Sequence, residues 1–112
     1  MNDIHPTGDN LLDQRSREIL PALYSQEAKG LDAIAYFKFF TPDSSWDWFV
    51  CEFDGDDLLY GVVIGVEIKF DYFSLSELQS VKGPLGLPIE RDLYFEPKTL
   101  KDLIEDHQRE RK

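Results

Sequence analysis

WDWFVCEFDGDDLLYGVVIG, residues 46–65, decides the fold. Trp46, Trp48, Val50 and Glu52 alternate with Phe49, Cys51 and Phe53, the two-residue period of a strand. Asp54-Gly55 then signals a tight hairpin, because glycine accepts the positive φ that such a turn requires. LLYGVVI, residues 58–64, is the returning strand. Gly65 opens another turn, and EIKFDYF, residues 67–73, is the next strand. Upstream, AIAYFKFF (residues 33–40) places Ala35, Phe37 and Phe39 on one face and Ile34, Tyr36, Lys38 and Phe40 on the other; Pro42 stops it. Apolar residues on both faces imply a sheet covered on both sides. Short connections in succession specify an antiparallel meander of about four strands.

Helical signals flank this meander. Asp9 or Asn10 caps a first helix with Leu12, Ile19 and Leu23 on its apolar face, and Pro21 ends it near Leu20. Ser74 and Glu77 have capping-box spacing before a short helix that buries Leu75, Leu78 and Val81 and stops at Gly83. Pro88 starts a helical turn through Arg91, and Leu93–Phe95 read as a short edge strand. Pro97 and Thr99 start the last helix, with Leu100, Leu103, Ile104 and His107 inward. The expected class is α+β, one domain over residues 10–107, with a flexible tail at 1–9 and a solvated end at 108–112.

Charge narrows the function. The chain has 22 acidic against 12 basic side chains in 112 residues, a net charge of -10. Such a field repels nucleic acid and attracts basic surfaces, so the expected partner is another protein with a basic surface and not DNA or RNA itself. The acidity serves solubility, or it mimics nucleic acid in a partner's basic groove. Cys51, the one cysteine, has no mate for an internal disulfide, which fits a reducing cytoplasm. No apolar run approaches the roughly 18 residues of a membrane span, and the polar N-terminus is unlike a secretory signal.

Catalytic patterns are sparse. His5 and His107 lie near the two ends, away from any nucleophile. Gly83 and Gly86 lack the lysine and the strand-to-helix setting of a phosphate loop. Glu52, Asp54, Asp56 and Asp57 crowd one turn, but Gly55 comes too early for a calcium loop, so a solvated acidic hairpin is expected and no metal or cofactor. Asp43, Glu67 and Lys69 fit the spacing of a Mg²⁺-dependent restriction-type nuclease, in which carboxylates hold the ion and lysine orients water. Glu67 and Lys69 are equally a charge ladder between strands. Aromatics interleaved with acids suit contact with an arginine-rich protein. The candidate protein-binding residues are Trp46, Trp48, Glu52, Asp54, Asp56, Asp57, Tyr72, Leu85, Glu90 and Asp92, with Asp71 in the acidic row.

GPLGLPIERDLYFEP, residues 83–97, is a loop rich in apolar residues. It is expected to lie on the core, with Leu87, Ile89, Leu93 and Phe95 covering the sheet; the other reading makes Leu85 and Leu87 an anchor for a partner.

Long segments carry a resemblance: LYSQEAKGLDAIAYFKFFTPDSSWDWFVCEFDG and DYFSLSELQSVKGPLGLPIERDLYFEP. Across residues 11–104 the chain resembles the bacterial domain-of-unknown-function family numbered twenty-nine fifty-eight. The resemblance implies carriage by plasmids, phages and conjugative elements, and it transfers no activity and no functional residue. Small acidic proteins of such elements block host-defence enzymes or bind other proteins of the element, and a non-enzymatic interaction module is expected here.

Overall fold

In the computed structural model, which describes residues 10–110, the hairpin around Asp54-Gly55 closes as its sequence requires, with Gly55 at φ 90°. The strands are β1 (Ile34–Ala35), β2 (Phe37–Phe40), β3 (Asp47–Phe53), β4 (Leu58–Ile64), β5 (Ile68–Ser74), β6 (Glu90–Arg91) and β7 (Lys98–Thr99). Helices are α1 (Gln14–Ile19), α2 (Leu75–Ser80) and α3 (Leu100–Glu110), with a 3-10 segment at Glu27–Asp32. The main sheet runs β5-β4-β3-β2-β6, antiparallel throughout, and β1 pairs with β7 in a small second sheet. The fold is α+β, and the meander is present.

Each face of the sheet has its own core. Leu11, Leu12 and Leu20 around α1, with Leu75 and Leu78 of α2, pack on Phe39, Val50, Phe53 and Leu59. Leu100 and Leu103 of α3, with Ala33 and Ala35, pack on Phe49, Cys51, Val62 and Ile64. Among the described residues, no helix is long and apolar enough to cross a membrane.

β3 does not alternate strictly. Val50 pairs with Gly61, but Glu52 pairs with Tyr60, so Cys51 is an extra residue in a β-bulge. The bulge puts Cys51 and Glu52 on one face and returns Phe53 to the face of Val50. Strict alternation would have grouped Glu52 with Trp48 and Val50. A Cβ on Gly61 would stand 1.8 Å from the Phe49 carbonyl oxygen, so the strand opposite the bulge admits only glycine there.

Other expectations shift locally. Asp13, not Asp9 or Asn10, caps α1, accepting from the Ser16 N–H at 2.8 Å. The helix therefore turns Ser16 inward and leaves Ile19 exposed, and Leu11 and Leu12 fill the core from the chain before it. α2 and α3 start as expected: the Ser74 hydroxyl accepts from Glu77 N–H and the Thr99 hydroxyl from Asp102 N–H. Val81 is exposed. Glu90 and Arg91 pair with Phe40 and Phe39 as a fifth strand in place of a helical turn, and Leu93–Tyr94 form a turn, not a strand. The tail at 1–9 and the last two residues lie outside the described region, and residues 108–110 are exposed and still helical.

β5 is the longer of the two edge strands of the main sheet, seven residues, and among the described residues no strand pairs with its outer side. The Asp71 carboxylate accepts a hydrogen bond from the N–H of Tyr72, its neighbour in that strand, at 2.8 Å.

Candidate binding site

The bulge creates the most developed site. Glu52, Tyr60 and Tyr72 stand in register across β3, β4 and β5 and share one face. Above them crosses the segment before β1, where Tyr24 adopts φ 70°. That left-handed residue folds the backbone of 24–26 around the Glu52 carboxylate. Tyr24 N–H donates to Oε1 at 2.7 Å and Gln26 N–H to Oε2 at 2.9 Å. The Gln26 side chain locks the arrangement, donating to the Ile34 and Cys51 carbonyls and accepting from Ile34 N–H.

Around this floor lies a cavity of about 310 Å³, walled by Tyr24, Tyr60, Phe70 and Tyr72. The Tyr60 and Tyr72 rings are 4.8 Å apart and tilted, and Tyr24 meets Tyr72 edge-on at 6.2 Å. Tyr24 is 60% exposed, Glu52 only 3%. No lysine or arginine lines the cavity, and Glu27 adds a second acid. Among the described residues Glu52 forms no ion pair.

The electrostatics are those of a negative site with a buried floor. Burial, with Glu52 adding, pushes the Cys51 thiol up to about 12. The Tyr24 phenol beside it pushes Tyr72 up to about 12, with desolvation contributing next. Burial raises Tyr60 as well, with electrostatic repulsion from Cys51 and Glu52 adding.

The acidic residues singled out from the sequence divide sharply. Glu52 is buried, not part of a solvated hairpin, because the bulge turns it inward. Asp54 accepts from three backbone amides, those of Asp56, Asp57 and Leu58, at 2.8–3.0 Å. Asp57 accepts from Ser74 and Ser76 at the start of α2. These two carboxylates are committed to the turn and the helix end. Asp56 and Asp71 are exposed, Glu90 is half-buried, and Asp92 lies 3.9 Å from the Lys38 ammonium. Trp46 stacks on Trp48 at 6.2 Å on the opposite face of the sheet from the cavity, so these indoles and Tyr72 are not one surface.

Asp43 holds the loop that follows α2. Its Oδ2 accepts from Leu85 N–H at 2.8 Å and Leu87 N–H at 3.3 Å. A Cβ on Gly83 would meet Asp43 Oδ1 at 1.7 Å, so the carboxylate presses against bare backbone. Glu67 and Lys69 instead line a shallow groove with Trp46, Val63 and Asp71. Among the described residues, no three or more His, Cys, Asp or Glu side chains could hold a metal ion.

The loop itself only partly covers the core. Ile89 is fully buried and Phe95 packs beside Phe49 at 5.6 Å. Leu85, Leu87, Leu93 and Tyr94 are exposed, Leu85 to 80%. The Gly83–Gly86 turn tied to Asp43 lifts Leu85 and Leu87 off the sheet.

Sequence reasoning missed Tyr24, Gln26 and the cavity. Two signals were present: a lone glutamate on an otherwise apolar strand face, and Gly61 in the middle of the facing strand.

Comparison with curated proteins and with solved structures gave no match. Residues 11–109 match the family described as protein of unknown function, DUF2958. That span takes in both cores, the bulged strand and the cavity, and the chain belongs to the DUF2958 family.

Proposed function

We propose that the domain is a non-enzymatic interaction module that binds a protein with a basic surface. One observation carries this reading. Glu52, nearly buried, lines an open aromatic cavity, and its carboxylate is held by two backbone amides and paired with no cation among the described residues. A net charge of -10 would draw such a partner in from a distance. Nucleic-acid-processing and host-defence proteins have basic grooves, and an element-borne protein would meet both. Full nucleic-acid mimicry is less well supported, because Glu52 is buried at the cavity while Asp71 lies on the other face of the sheet beside Trp46, so the acids do not form a single row. The proposed contact is a local acidic-aromatic seat, with Asp56, Asp71, Glu90 and Asp92 contributing attraction around it.

Co-purification from a host that carries the gene, read by mass spectrometry, yields candidate partners. Calorimetry with each purified candidate then tests the reading. Binding should weaken several-fold on raising salt to about 0.3 M, where charges more than a few ångströms apart are screened. Binding indifferent to salt would contradict it and point to the exposed Trp46 and Leu85 instead.

A further inference from the structure

We infer that the cavity between Tyr24, Tyr60 and Tyr72 is a seat for one arginine side chain of the partner, its guanidinium lying against the phenol rings and directed at Glu52. The inference deepens the interaction reading above and rests on it.

Four observations converge. First, the cavity has two acids, Glu27 and Glu52, and no base. Second, each Glu52 oxygen accepts one neutral backbone N–H, which leaves acceptor capacity on both oxygens. Two amides orient a buried carboxylate without cancelling its charge, so its attraction for an entering cation is stronger than at the surface, and hydrogen bonds to the free lone pairs with ring contacts offset the cation's loss of water. Third, the rings present both faces and edges within 4.8–6.2 Å of one another. Aromatic faces attract cations, and the attraction grows when water is excluded. Fourth, about 310 Å³ accommodates a side-chain head group but is at the small end for a nucleotide or cofactor.

Arginine fits these constraints better than the alternatives. Its planar fork matches a carboxylate, it stacks on aromatic rings, and it sheds water more readily than an ammonium. Phosphates would meet two carboxylates. An apolar side chain would dehydrate Glu52 further with no compensating charge.

The test uses two short peptides, acetyl-Gly-Arg-Gly-amide and the same peptide with citrulline, which keeps the shape and lacks the charge. Amide NMR spectra of the full chain are followed during titration. Tyr24 and Gln26 N–H groups bond Glu52 directly, so they report on the carboxylate. The arginine peptide should shift both signals saturably and bind roughly tenfold more tightly than the citrulline peptide. Tyr72→Leu, at an exposed edge position, should keep the dispersed spectrum and lose this response. Equal binding of the citrulline peptide would overturn the seat. So would shifts confined to Asp56, Asp71 and Glu90, or the absence of any saturable shift at Tyr24 and Gln26. An identified protein that binds wild type and Tyr72→Leu equally, in a salt-dependent way, would remove the arginine seat and leave the interaction module standing. Saturable arginine binding without any protein partner would do the reverse.

Discussion

Gln26 is tied both to Glu52 and to the residue before it. The Gln26 N–H donates to Glu52 Oε2 at 2.9 Å, while the Gln26 side chain donates to the carbonyl of Cys51, the residue before Glu52, at 3.1 Å. The same side chain spans to both the N–H and the carbonyl of Ile34. Gln26→Ala would leave three buried or half-buried backbone groups without partners. It should cost about 2–4 kcal/mol in urea unfolding. A loss under about 0.5 kcal/mol would mean that the bulge holds its shape without Gln26.

Asp43 is expected to act on the loop and not on nucleic acid. Asp43→Ala should speed hydrogen exchange at Leu85 and Leu87, whose amides it accepts. Gly83→Ala should do the same, since its Cβ would displace the carboxylate. DNA and RNA incubated with the protein and Mg²⁺ or Mn²⁺ should remain intact. Cleavage that vanishes in Asp43→Ala would instead install Asp43, Glu67 and Lys69 as a nuclease centre.

Two neighbours in one loop should respond very differently. Ile89 is fully buried in the core that also holds Leu11, Leu12, Phe39 and Leu78, and Ile89→Ala should cost about 2–5 kcal/mol. Leu87 is 44% exposed, and Leu87→Ala should cost about 1 kcal/mol or less. Thermal or chemical melts of the pair decide the matter; equal losses would mean that Leu87 is packed in solution.

Acid should weaken the protein through its turn carboxylates. The Asp56 amide first, then those of Leu58 and Asp57, holds Asp54 below the ordinary aspartate value of 3.8. Ser74, then the Ser76 amide, does so for Asp57. A carboxyl depressed in the folded state stabilises fully above its unfolded value and loses that contribution as pH falls through the folded one. Asp47 runs the other way, since burial raises it; its contribution is greatest below 3.8 and fades as pH rises. Asp13, whose hydrogen bonds with Ser16 lower it too, joins Asp54 and Asp57 in outnumbering Asp47, so the urea midpoint should hold from neutrality to about pH 5 and fall below about pH 4. Asp54→Asn should be weaker at neutral pH and show a shallower acid decline. An unchanged acid slope would show that these hydrogen bonds carry none of it.

Cys51 should be silent in the native protein. It is buried at the bulge, and its thiol is pushed up to about 12. Labelling by a thiol reagent near pH 8 should track global unfolding across a urea series. Fast labelling without denaturant would reveal local opening of the bulge.

The meander was legible because its turns are written in local chemistry: Asp54-Gly55, Gly65 and the Ser74 cap each act within a few residues. Both-sided burial was legible from the apolar residues on each face of the stretch 33–40. The site was not, because one inserted residue inverts every later assignment on a strand. Alternation carried through Cys51 sends Glu52 to the wrong face, and nothing local marks Tyr24 as the residue that wraps it. The loop at 83–87 was misjudged for a related reason. Its hydrophobicity argues for burial, while its shape is set by a carboxylate some forty residues earlier.

The β5 edge of the sheet bears on how the molecule behaves in a crowd. A bare seven-residue edge is a template on which a second copy could lay its own strand, and a third on that. Here Asp71 occupies the Tyr72 amide from within the same strand. The charges of Lys69 and Asp71 would have to be stripped of water before a neighbour could align. The tyrosines around the cavity can thus remain at the protein's rim, available for recognition, without seeding runaway self-assembly into fibrils.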